Sequence, residues 1–324
     1  MLLTRRPDFS FFHGAAWAQA LTETYGFTPA WLAEGQALLP LMEVDSWLTG
    51  RRGVALPFTD VCGPLGGGAE EVQGLFEQAT AWGRARGWKT IELRGGRNWL
   101  SGAPASLAFY GHRLDLTGGE PALFERMDGS ARQAVRKAGR DGVTAEVWQT
   151  EAAMREFYRL QCLTRKRHGL PPQPWRFFQN LCRRVLSEDQ GMVVLAAADG
   201  VAIAGAVFFF LGGRAIYKYG ASDLGRQQLR PNNLVMWTAM KWLAHHGAGS
   251  LHLGKTALNH DGLRRFKLSL GAVEERIEYV KFDVRRSCFE VDTDQIAGWH
   301  NRVFRVLPGF LSRGAGKLLY KHWA

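Results

Sequence analysis

The sequence predicts an α/β fold in which two copies of one domain follow each other along the chain. The main observation is an internal duplication: residues 75–93 align without a gap with residues 235–253, at an offset of 160 positions. Each copy has the pattern of an amphipathic helix that ends at a glycine and leads into a short strand. The length of 324 residues is sufficient for two domains, and the 46% hydrophobic and 22% charged content is typical of a globular protein.

The first half is predicted to run helix, strand, strand, strand, helix, strand. "FFHGAAWAQALTETYG" has helical spacing, "PAWLAEGQALLPLMEV" gives two strands around a turn, and "GVALPFTD" gives a third strand before the repeated helix and strand. Identical residues in the two copies of the repeat include Ala79 and Ala239, Trp82 and Trp242, and Gly87 and Gly247. Because the two tryptophans match, we predict that both belong to the core.

A short basic segment, "SARQAVRKAGRDGV", joins the two halves. Ser130 is a suitable N-cap for a helix there. Its arginines and lysine make it either a phosphate-contacting element or a solvated connecting helix. The sequence does not distinguish these two interpretations.

The second half repeats the order more clearly. Two helices, "AAMREFYRLQCLTRKRHG" and "QPWRFFQNLCRRVLSE", precede three antiparallel strands, "GMVVLAAADG", "VAIAGAVFFFLGG" and "RAIYKYGASD". The repeated helix and strand follow, and then the strand "EERIEYVKFDV". We predict an N-terminal domain at 1–118, a basic connecting helix at 119–145, a C-terminal domain at 146–290 and a basic amphipathic tail at 291–324. The tail either packs on the second domain or lies on an anionic membrane.

Composition restricts the classes of function. Lysine and arginine outnumber acidic residues 41 to 30, and the net charge of +11 attracts polyanions such as tRNA, nucleotide-sugars or an anionic membrane surface. The four cysteines form no CxxC pair, so neither a metal site nor a disulfide framework is expected. No apolar run approaches the roughly 20 residues of a membrane-spanning helix, and no secretory signal is visible. A cytoplasmic protein is expected, at the inner face of the membrane if the tail contacts lipid.

The order of elements resembles the GNAT acyltransferase fold, and two copies in tandem resemble the FemAB-like family, including its short members associated with exopolysaccharide and protein sorting. The resemblance covers nearly the whole chain. It is carried by Thr164, Arg167 and Gly169 after the first helix, by the Pro231-Asn232 pair, and by "LHLGKT" and "GLRRFKLSLGA". It implies transfer of an aminoacyl or acyl group to an amine of a cell-envelope glycan or peptide precursor, as in peptidoglycan or exopolysaccharide synthesis.

The acyl donor is expected to be an aminoacyl-tRNA. Single-domain GNAT enzymes hold the coenzyme A pyrophosphate in a glycine-rich loop at a helix N-terminus. Here the second-half loop "DLGRQQLRPNNL" offers Arg226 and Arg230 for phosphate but lacks the glycine pair, and in the first half Glu70 and Glu71 follow the glycines. No tightly bound cofactor is expected. The alternatives are an acyl-coenzyme A or acyl carrier protein donor and, in another class, a non-catalytic module that binds tRNA or membrane.

The resemblance also identifies candidate site residues. Lys267 would stabilise the oxyanion of acyl transfer or hold the tRNA 3′ phosphate, and Phe266 would pack against the terminal adenine or the acyl group. Arg167 would contact phosphate of the acceptor.

Three further candidates concern the acceptor amine. Tyr219 and Asp223, at the end of a strand, would orient the amine, and Asp223 would accept its proton. Asp60 would face the acceptor from the first half. Asn232 either belongs to the site or caps the following helix.

Overall fold

The computed structural model describes residues 4, 6, 8–100, 102–291 and 309–323. The α-helices in these ranges are α1 (Ala15–Tyr25), α2 (Ala69–Ala85), α3 (Gly119–Arg126), α4 (Gly129–Arg140), α5 (Glu151–Arg167), α6 (Trp175–Arg184), α7 (Pro231–His245), α8 (Asp261–Ser269) and α9 (Gly309–Leu319). The strands are β1 (Thr28–Glu34), β2 (Ala37–Val44), β3 (Arg52–Val54), β4 (Thr90–Arg94), β5 (Leu107–Asp115), β6 (Thr144–Trp148), β7 (Gly191–Ala198), β8 (Val201–Leu211), β9 (Arg214–Ser222), β10 (Ser250–His252), β11 (Thr256–Ala257), β12 (Val273–Asp283) and β13 (Cys288–Glu290).

The strands form one continuous sheet that crosses both halves of the chain. Its order is β1-β2-β3-β4-β12-β5-β10-β9-β8-β7-β6, with β11 paired to β5 and β13 paired to β12. The pairs β3–β4 and β9–β10 are parallel and the other pairs are antiparallel. Mixed sheets of this kind need helices on their faces to bury the apolar side chains.

The predicted duplication is confirmed. The aligned segments are α2 with β4 and α7 with β10, and each helix covers one face of the sheet in its own half. Ala79 and Ala239 are fully buried. Gly87 and Gly247 both adopt left-handed backbone angles, with φ of 71° and 79°, where a glycine ends the helix without steric cost.

The two tryptophans of the repeat are less central than predicted. Trp82 and Trp242 are partly exposed and pack at the margins of the two apolar clusters that α2 and α7 cover. Each contacts another ring, Trp88 at 5.4 Å and Phe210 at 5.4 Å between centroids. They are therefore boundary residues rather than core residues.

The two halves exchange a strand. β5 follows β4 along the chain but pairs with β10 of the second half, whereas β12 follows the second-half elements but pairs with β4 of the first half. β5 and β12 then pair with each other, antiparallel, at the centre of the sheet. The domain boundaries predicted at 118 and 146 stay a prediction. The sheet contains strands from both sides of these boundaries.

The expected third strand of the first half is shorter than predicted. It ends at Val54, and the segment "ALPFTD" leaves the sheet as a loop. Leu56 and Phe58 have φ of 44° and 63°, a left-handed conformation that costs a side-chain-bearing residue energy. Leu56 is fully buried and Phe58 packs against Tyr25, so tertiary packing holds the loop in this strained form.

The predicted basic connector at 119–145 is two helices rather than one. α3 and α4 are separated at Met127 and Asp128, and the N-cap of α4 is Asp128, not Ser130. Ala131, Val135 and Ala138 of α4 pack into the apolar cluster beneath α7. Its basic residues remain on the outer side, so the segment is part of the second-half core as well as a connection.

The end of the chain lies across both halves as a strap, defined as residues 309–323. The Gly316 backbone packs against Pro172, Tyr320 Oη accepts a hydrogen bond from Arg165 at 2.9 Å, and His322 Nδ1 lies 2.7 Å from Ser46 Oγ. This part of the predicted tail packs on the protein. Residues 292–308 and 324 of the predicted tail lie outside the described residues. No helix in the described part of the chain is long and apolar enough to cross a bilayer.

Close packing at Gly316 gives a direct test of the strap. An added Cβ would lie 2.1 Å from the Pro172 carbonyl oxygen, so we expect Gly316→Ala to release the strap. Gly314→Ala is the matched control, because its Cβ would meet open space in the same helix. Hydrogen exchange of residues 309–323 should accelerate about tenfold or more in the first variant and stay unchanged or slow in the second. Equal exchange in both variants would show that this contact does not hold the strap.

Candidate active site

The main cavity opens where two parallel strands separate. β10 pairs with β9 only from Ser250 to His252, opposite Arg214 to Ile216. Gly254, with φ of 70°, then turns the chain away while β9 continues to Ser222. The separation leaves a cavity of about 730 Å³ in the second half, lined by the end of β9, the loop after β10, and parts of α5, α7 and α8, with Asp60 contributed by the first half.

A bulge in β9 sets which side chains face this cavity. Val207 of β8 pairs with Tyr219 and Phe208 pairs with Tyr217, so Lys218 is an extra residue in the ladder. A bulge changes the direction of the side chains that follow it. Tyr217 therefore lines the cavity, whereas Tyr219 packs on the other face against Phe178, at 5.6 Å between ring centroids.

A buried ion pair joins the two halves at the base of the cavity. Lys218 Nζ lies 3.0 Å from Asp60 Oδ2, and both side chains are largely buried. Burial alone would raise the pKa of Asp60, but Lys218 and Lys255 hold that pKa below its ordinary value. Asp60 is therefore an ionised carboxylate, supplied by the strained loop of the first half.

The exchanged strand holds this loop in place. Tyr279 of β12 donates its hydroxyl hydrogen to the Asp60 carbonyl at 2.8 Å, and Arg94 of β4 donates to the Thr59 carbonyl at 3.3 Å. The Thr59 hydroxyl donates to the Leu56 carbonyl at 2.8 Å. These bonds offset the cost of the left-handed residues and fix the position of Asp60.

Lys267 reaches the same site from α8. Its side chain is only 3% exposed, and Nζ donates to the carbonyls of Gly254 at 2.9 Å and Lys255 at 3.2 Å. An ammonium group has three N–H donors, so one remains for the cavity that this residue lines. Burial is the main cause that lowers the pKa of Lys267 to about 8, while the charge of Asp60 opposes this shift and the charge of Lys218 adds to it.

Lys255 is a third lysine at the base of the cavity. Its Nζ lies over the rings of Phe109 and Tyr279, at 4.2 and 4.7 Å from their centroids, and 3.1 Å from Tyr279 Oη. Burial, followed by the charge of Arg94, lowers the pKa of Lys255 to about 8. Near neutral pH this amine exists in both protonation states in useful amounts, which is the property of a proton-transferring group.

A salt-bridged cluster orients the helix that carries Lys267. Arg264, one turn before Lys267, forms two hydrogen bonds to Glu274 of β12, at 2.7 and 2.9 Å. His112 Nε2 of β5 lies 3.3 Å from the same carboxylate. The Arg264 guanidinium also lies 4.3 Å from the centroid of Tyr110. Arg264 therefore has a positioning role.

Polar and cationic groups surround the mouth of the cavity. Arg167 lies at the end of α5, and neighbouring Thr164 Oγ1 accepts a hydrogen bond from Ser222 N at 3.1 Å, which ties α5 to the end of β9. Arg230, Asn232 and Phe266 also line the cavity. Arg230 is the N-cap of α7, so Asn232 lies inside the first turn and is not the cap.

A second depression, the α4 groove, continues from this mouth. It has a volume of about 420 Å³ and shares Arg230, Asn233 and Phe266 with the cavity. Lys137 and Arg140 of α4 line its other side. A ligand that fills the cavity therefore has a continuous basic path along α4.

The structure brings together six of the nine predicted site residues: Asp60, Arg167, Arg230, Asn232, Phe266 and Lys267 all line the cavity. Three lie elsewhere. Tyr219 is directed into the opposite core by the bulge. Asp223 Oδ1 accepts a hydrogen bond from Gly225 N at 2.9 Å and caps a short helix, and Arg226 forms an ion pair with Asp199 at 3.6 Å.

Sequence reasoning missed Lys218 and Lys255. Lys218 stands in the predicted strand "RAIYKYGASD" and Lys255 stands in "LHLGKT", but lysine side chains are usually solvent-facing. The available signal was that each lies within three residues of a glycine at the end of a buried strand. Among the described residues, no group of three or more His, Cys, Asp or Glu side chains is arranged to hold a metal ion.

Comparison with known proteins gives a consistent result for the second half. The family model described as an acetyltransferase (GNAT) domain matches residues 126–268, the segment that contains Lys218, Lys255 and Lys267. Over 86 residues the chain is 33% identical to the lipid II:glycine glycyltransferase of Staphylococcus haemolyticus (strain JCSC1435). That match covers 25% of this chain and 20% of the relative, so the chain matches about a fifth of the curated protein's length.

Solved structures extend the likeness to both halves at the level of fold. FemX superposes with a TM-score of 0.67 at 15% identity, covering 85% of this chain and 93% of that chain. A tandem GNAT protein from the clavulanic acid biosynthesis pathway superposes with a TM-score of 0.51 at 12% identity, over 84% of this chain and 88% of that chain. These likenesses agree with the predicted fold of two tandem GNAT-like domains.

Proposed function

We propose that this chain is an N-acyltransferase of the FemAB type, with two tandem GNAT-like domains, that acts on an amine of a cell-envelope glycan or peptide precursor. The observation that carries the proposal is the convergence of Asp60, Lys218, Lys255 and Lys267 at the separated strands. The relatives that match part of the chain include lipid II:glycine glycyltransferases. Their acceptor supports the choice of an envelope precursor.

Acyl transfer at this site needs no protein nucleophile. The acceptor nitrogen attacks the carbonyl carbon of the donor ester or thioester, the carbonyl π electrons move to oxygen, and a tetrahedral oxyanion forms. When the oxyanion collapses, the bond to the donor oxygen or sulfur breaks, and that atom leaves with the proton that the acceptor nitrogen gives up. The Lys267 ammonium, held by two carbonyls, supplies a fixed positive charge for the oxyanion.

The acceptor must also lose a proton from nitrogen. Asp223 lies outside the cavity lining, and the lowered pKa of Asp60 makes its carboxylate a weak base. Lys255, with a pKa of about 8, is better matched to an alkylammonium and lines the same cavity. We assign proton acceptance to Lys255 and attraction of the acceptor ammonium to Asp60.

The α4 groove supports a donor with a long anionic body, so we propose aminoacyl-tRNA. The cavity would hold the aminoacylated terminus, with Phe266 against the terminal base and Lys137, Arg140 and Arg230 along the backbone phosphates. In the first half, Glu71 folds back on its own helix N-terminus at Gly68 and would repel phosphate there. An acyl-coenzyme A donor is the alternative, because the N-terminus of α7 also opens on the cavity.

The identity of the acyl donor can be tested by measuring which ligand the protein binds. We expect an RNA hairpin ending in CCA to bind with an affinity that falls steeply with salt, and Lys137→Ala with Arg140→Ala to weaken binding by about tenfold and reduce the salt slope by roughly two. The control pair is Arg285→Ala with Arg286→Ala, an exposed basic pair after β12. Tight coenzyme A binding with no RNA binding would overturn the tRNA assignment and favour the alternative.

The reaction class can be tested in cells. Mass spectrometry of envelope glycans and peptides from the producing strain should show one acyl or aminoacyl addition that is missing when Lys267→Ala replaces the wild type. An unchanged envelope in that strain, with normal protein levels, would contradict the proposed activity. Steeply salt-dependent RNA binding without any envelope change would favour a non-catalytic binding module.

A further inference from the structure

A second concave site lies outside the proposed active site, between α5 and the strap. This α5–strap groove has a volume of about 600 Å³. Its floor is formed by Tyr158, Cys162, Leu163 and Pro172, and Leu163 is 47% exposed. A partly exposed leucine in an apolar groove favours a ligand with an apolar part.

The rim of this groove is cationic. Arg155, Arg159 and Lys166 follow one face of α5, and Arg313 of the strap faces them. Arg155 and Arg159 each pair with a glutamate on the same helix, at 2.7 and 3.0 Å. For Lys166 and Arg313, no carboxylate of the described residues lies within ion-pair distance. The rim therefore carries positive charge that is available to an anionic partner.

The strap continues this surface beyond the groove. Its outer side presents Arg313, Lys317 and Lys321 together with Leu318, which is 72% exposed. The helical rise of about 1.5 Å per residue places Arg313 and His322 roughly 14 Å apart along the strap. At the far end, the His322 ring lies 5.2 Å from that of Trp47.

Trp47 and Leu48 extend the apolar part of the surface. Trp47 is 83% exposed and Leu48 is 52% exposed, and both precede β3 in the first half. Exposed tryptophan and leucine among lysines and arginines are characteristic of protein surfaces that enter the headgroup region of a bilayer.

We propose that the α5–strap groove, the outer side of the strap and the Trp47 loop together form a docking surface for a lipid bilayer with anionic headgroups. The lysines and arginines would contact the headgroups, Trp47 and Leu318 would insert at the interface, and the groove would accept part of a lipid chain. A nucleic acid would match the positive charges but would leave the protruding apolar side chains and the apolar floor without partners.

The end of α5 connects this docking surface to the cavity. Three consecutive basic residues at the end of α5 point to different neighbours: Arg165 binds Tyr320 of the strap, Lys166 lines the groove and Arg167 lines the cavity. Docking would therefore hold the cavity mouth beside the bilayer, where a lipid-linked acceptor is presented. This inference does not depend on the proposed function, because binding requires no catalysis.

The test is flotation of the full-length protein with lipid vesicles. One set consists of phosphatidylcholine and the other contains about a third phosphatidylglycerol. We expect binding to the anionic set, a loss of at least roughly tenfold for Lys317→Glu with Lys321→Glu, and a similar loss for Trp47→Ala with Leu318→Ser. Arg285→Glu with Arg286→Glu has the same change in net charge on another surface and should change binding by less than about twofold.

Several outcomes would overturn the proposal. The first is that the wild type does not bind anionic vesicles. The second is that Lys317→Glu with Lys321→Glu and Arg285→Glu with Arg286→Glu lose binding equally, which would show that binding depends only on the net charge of the protein. Binding to an RNA hairpin that depends on Lys317 and Lys321 but not on Trp47 and Leu318 would assign the surface to nucleic acid instead. Unchanged melting temperatures establish that the variants fold. Lys267→Met should bind vesicles like the wild type even if the proposed activity is wrong.

Discussion

Replacement of Lys267 by methionine should abolish acyl transfer and at the same time stabilise the protein. Loss of the buried ammonium removes the charge proposed to stabilise the oxyanion, and such groups contribute about 10²–10³ in kcat. The same charge is costly in the folded state, because burial lowers the pKa of Lys267 from 10.5 to about 8. We expect a gain of roughly 1–3 kcal/mol in the free energy of unfolding, partly offset by two carbonyls that lose their donor.

The stability difference between Lys267→Met and the wild type should decrease as the pH rises. Below pH 8 the folded protein carries the buried charge, so the stability difference between Lys267→Met and the wild type is largest there. Between about pH 8 and 10.5 the folded wild type releases the proton while the unfolded chain keeps it, so the wild type gains stability and the difference narrows. Wild-type kcat should pass through a maximum near pH 8, because Lys255 must be neutral to accept the proton and Lys267 must be charged to stabilise the oxyanion, and the pKa of each is about 8. Denaturant unfolding and pH–rate profiles measure both effects.

Lys241→Met is the matched control for this substitution. Lys241 lies on α7 with a half-exposed side chain, and its closest carboxylate is Glu120 at 3.9 Å. We expect no more than about 0.5 kcal/mol change in stability and no change in activity, as for most surface substitutions. If Lys267→Met kept full activity, Lys267 would be a structural residue and the proposed oxyanion role would be wrong.

Replacement of Asp60 by asparagine should have the opposite effect on stability. The carboxylate is the acidic partner of Lys218, and removal of one partner leaves a charge buried without compensation. Breaking a buried ion pair in this way typically costs about 3–5 kcal/mol. We therefore expect Asp60→Asn to be strongly destabilised, to lower the pKa of Lys255 and Lys267 further, and to lose acyl transfer.

A double-mutant cycle separates the charge effect from packing. Asp60→Asn combined with Lys218→Met removes both charges, and most of the lost stability should return, with a coupling energy of about 2 kcal/mol or more. Activity should not return, because the proposed site for the acceptor ammonium is still missing. Additive losses in the double variant would show that the two side chains do not depend on each other.

The sequence predicted the elements of the fold better than their connections. Helical and strand periodicities are local, so α2, α7 and strands β7 to β9 were found close to their observed positions. β5 pairs with β10 through residues more than 130 positions apart in the chain, as in Leu114 with Leu251, and no local pattern contains that information. The strained loop after Val54 was predicted as a strand, because tertiary packing rather than propensity holds Leu56 and Phe58 in their conformations.

Residues of the candidate site could be predicted from the sequence when a local segment identified them. They could not be predicted when their burial or direction depends on a partner far away in the sequence. Lys267 was identified from its Phe-Lys segment. Lys218 was not, because its burial depends on Asp60, 158 positions away in the sequence. Tyr219 was predicted in the site because it lies near the end of its strand, and the bulge at Lys218 turns its side chain to the other face of the sheet. Such bulges depend on how the neighbouring strand pairs and leave no local pattern in the sequence.

The strand exchange also determines when the protein can fold during its synthesis. The first half emerges from the ribosome with the pairing edge of β4 open, and the strand that covers it, β12, is made only after about 180 further residues, from Arg94 to Val273. During that interval an open edge can pair with other nascent chains. Production of the first half alone should therefore yield aggregates, and slow translation before residue 283 should increase the dependence of the full chain on chaperones.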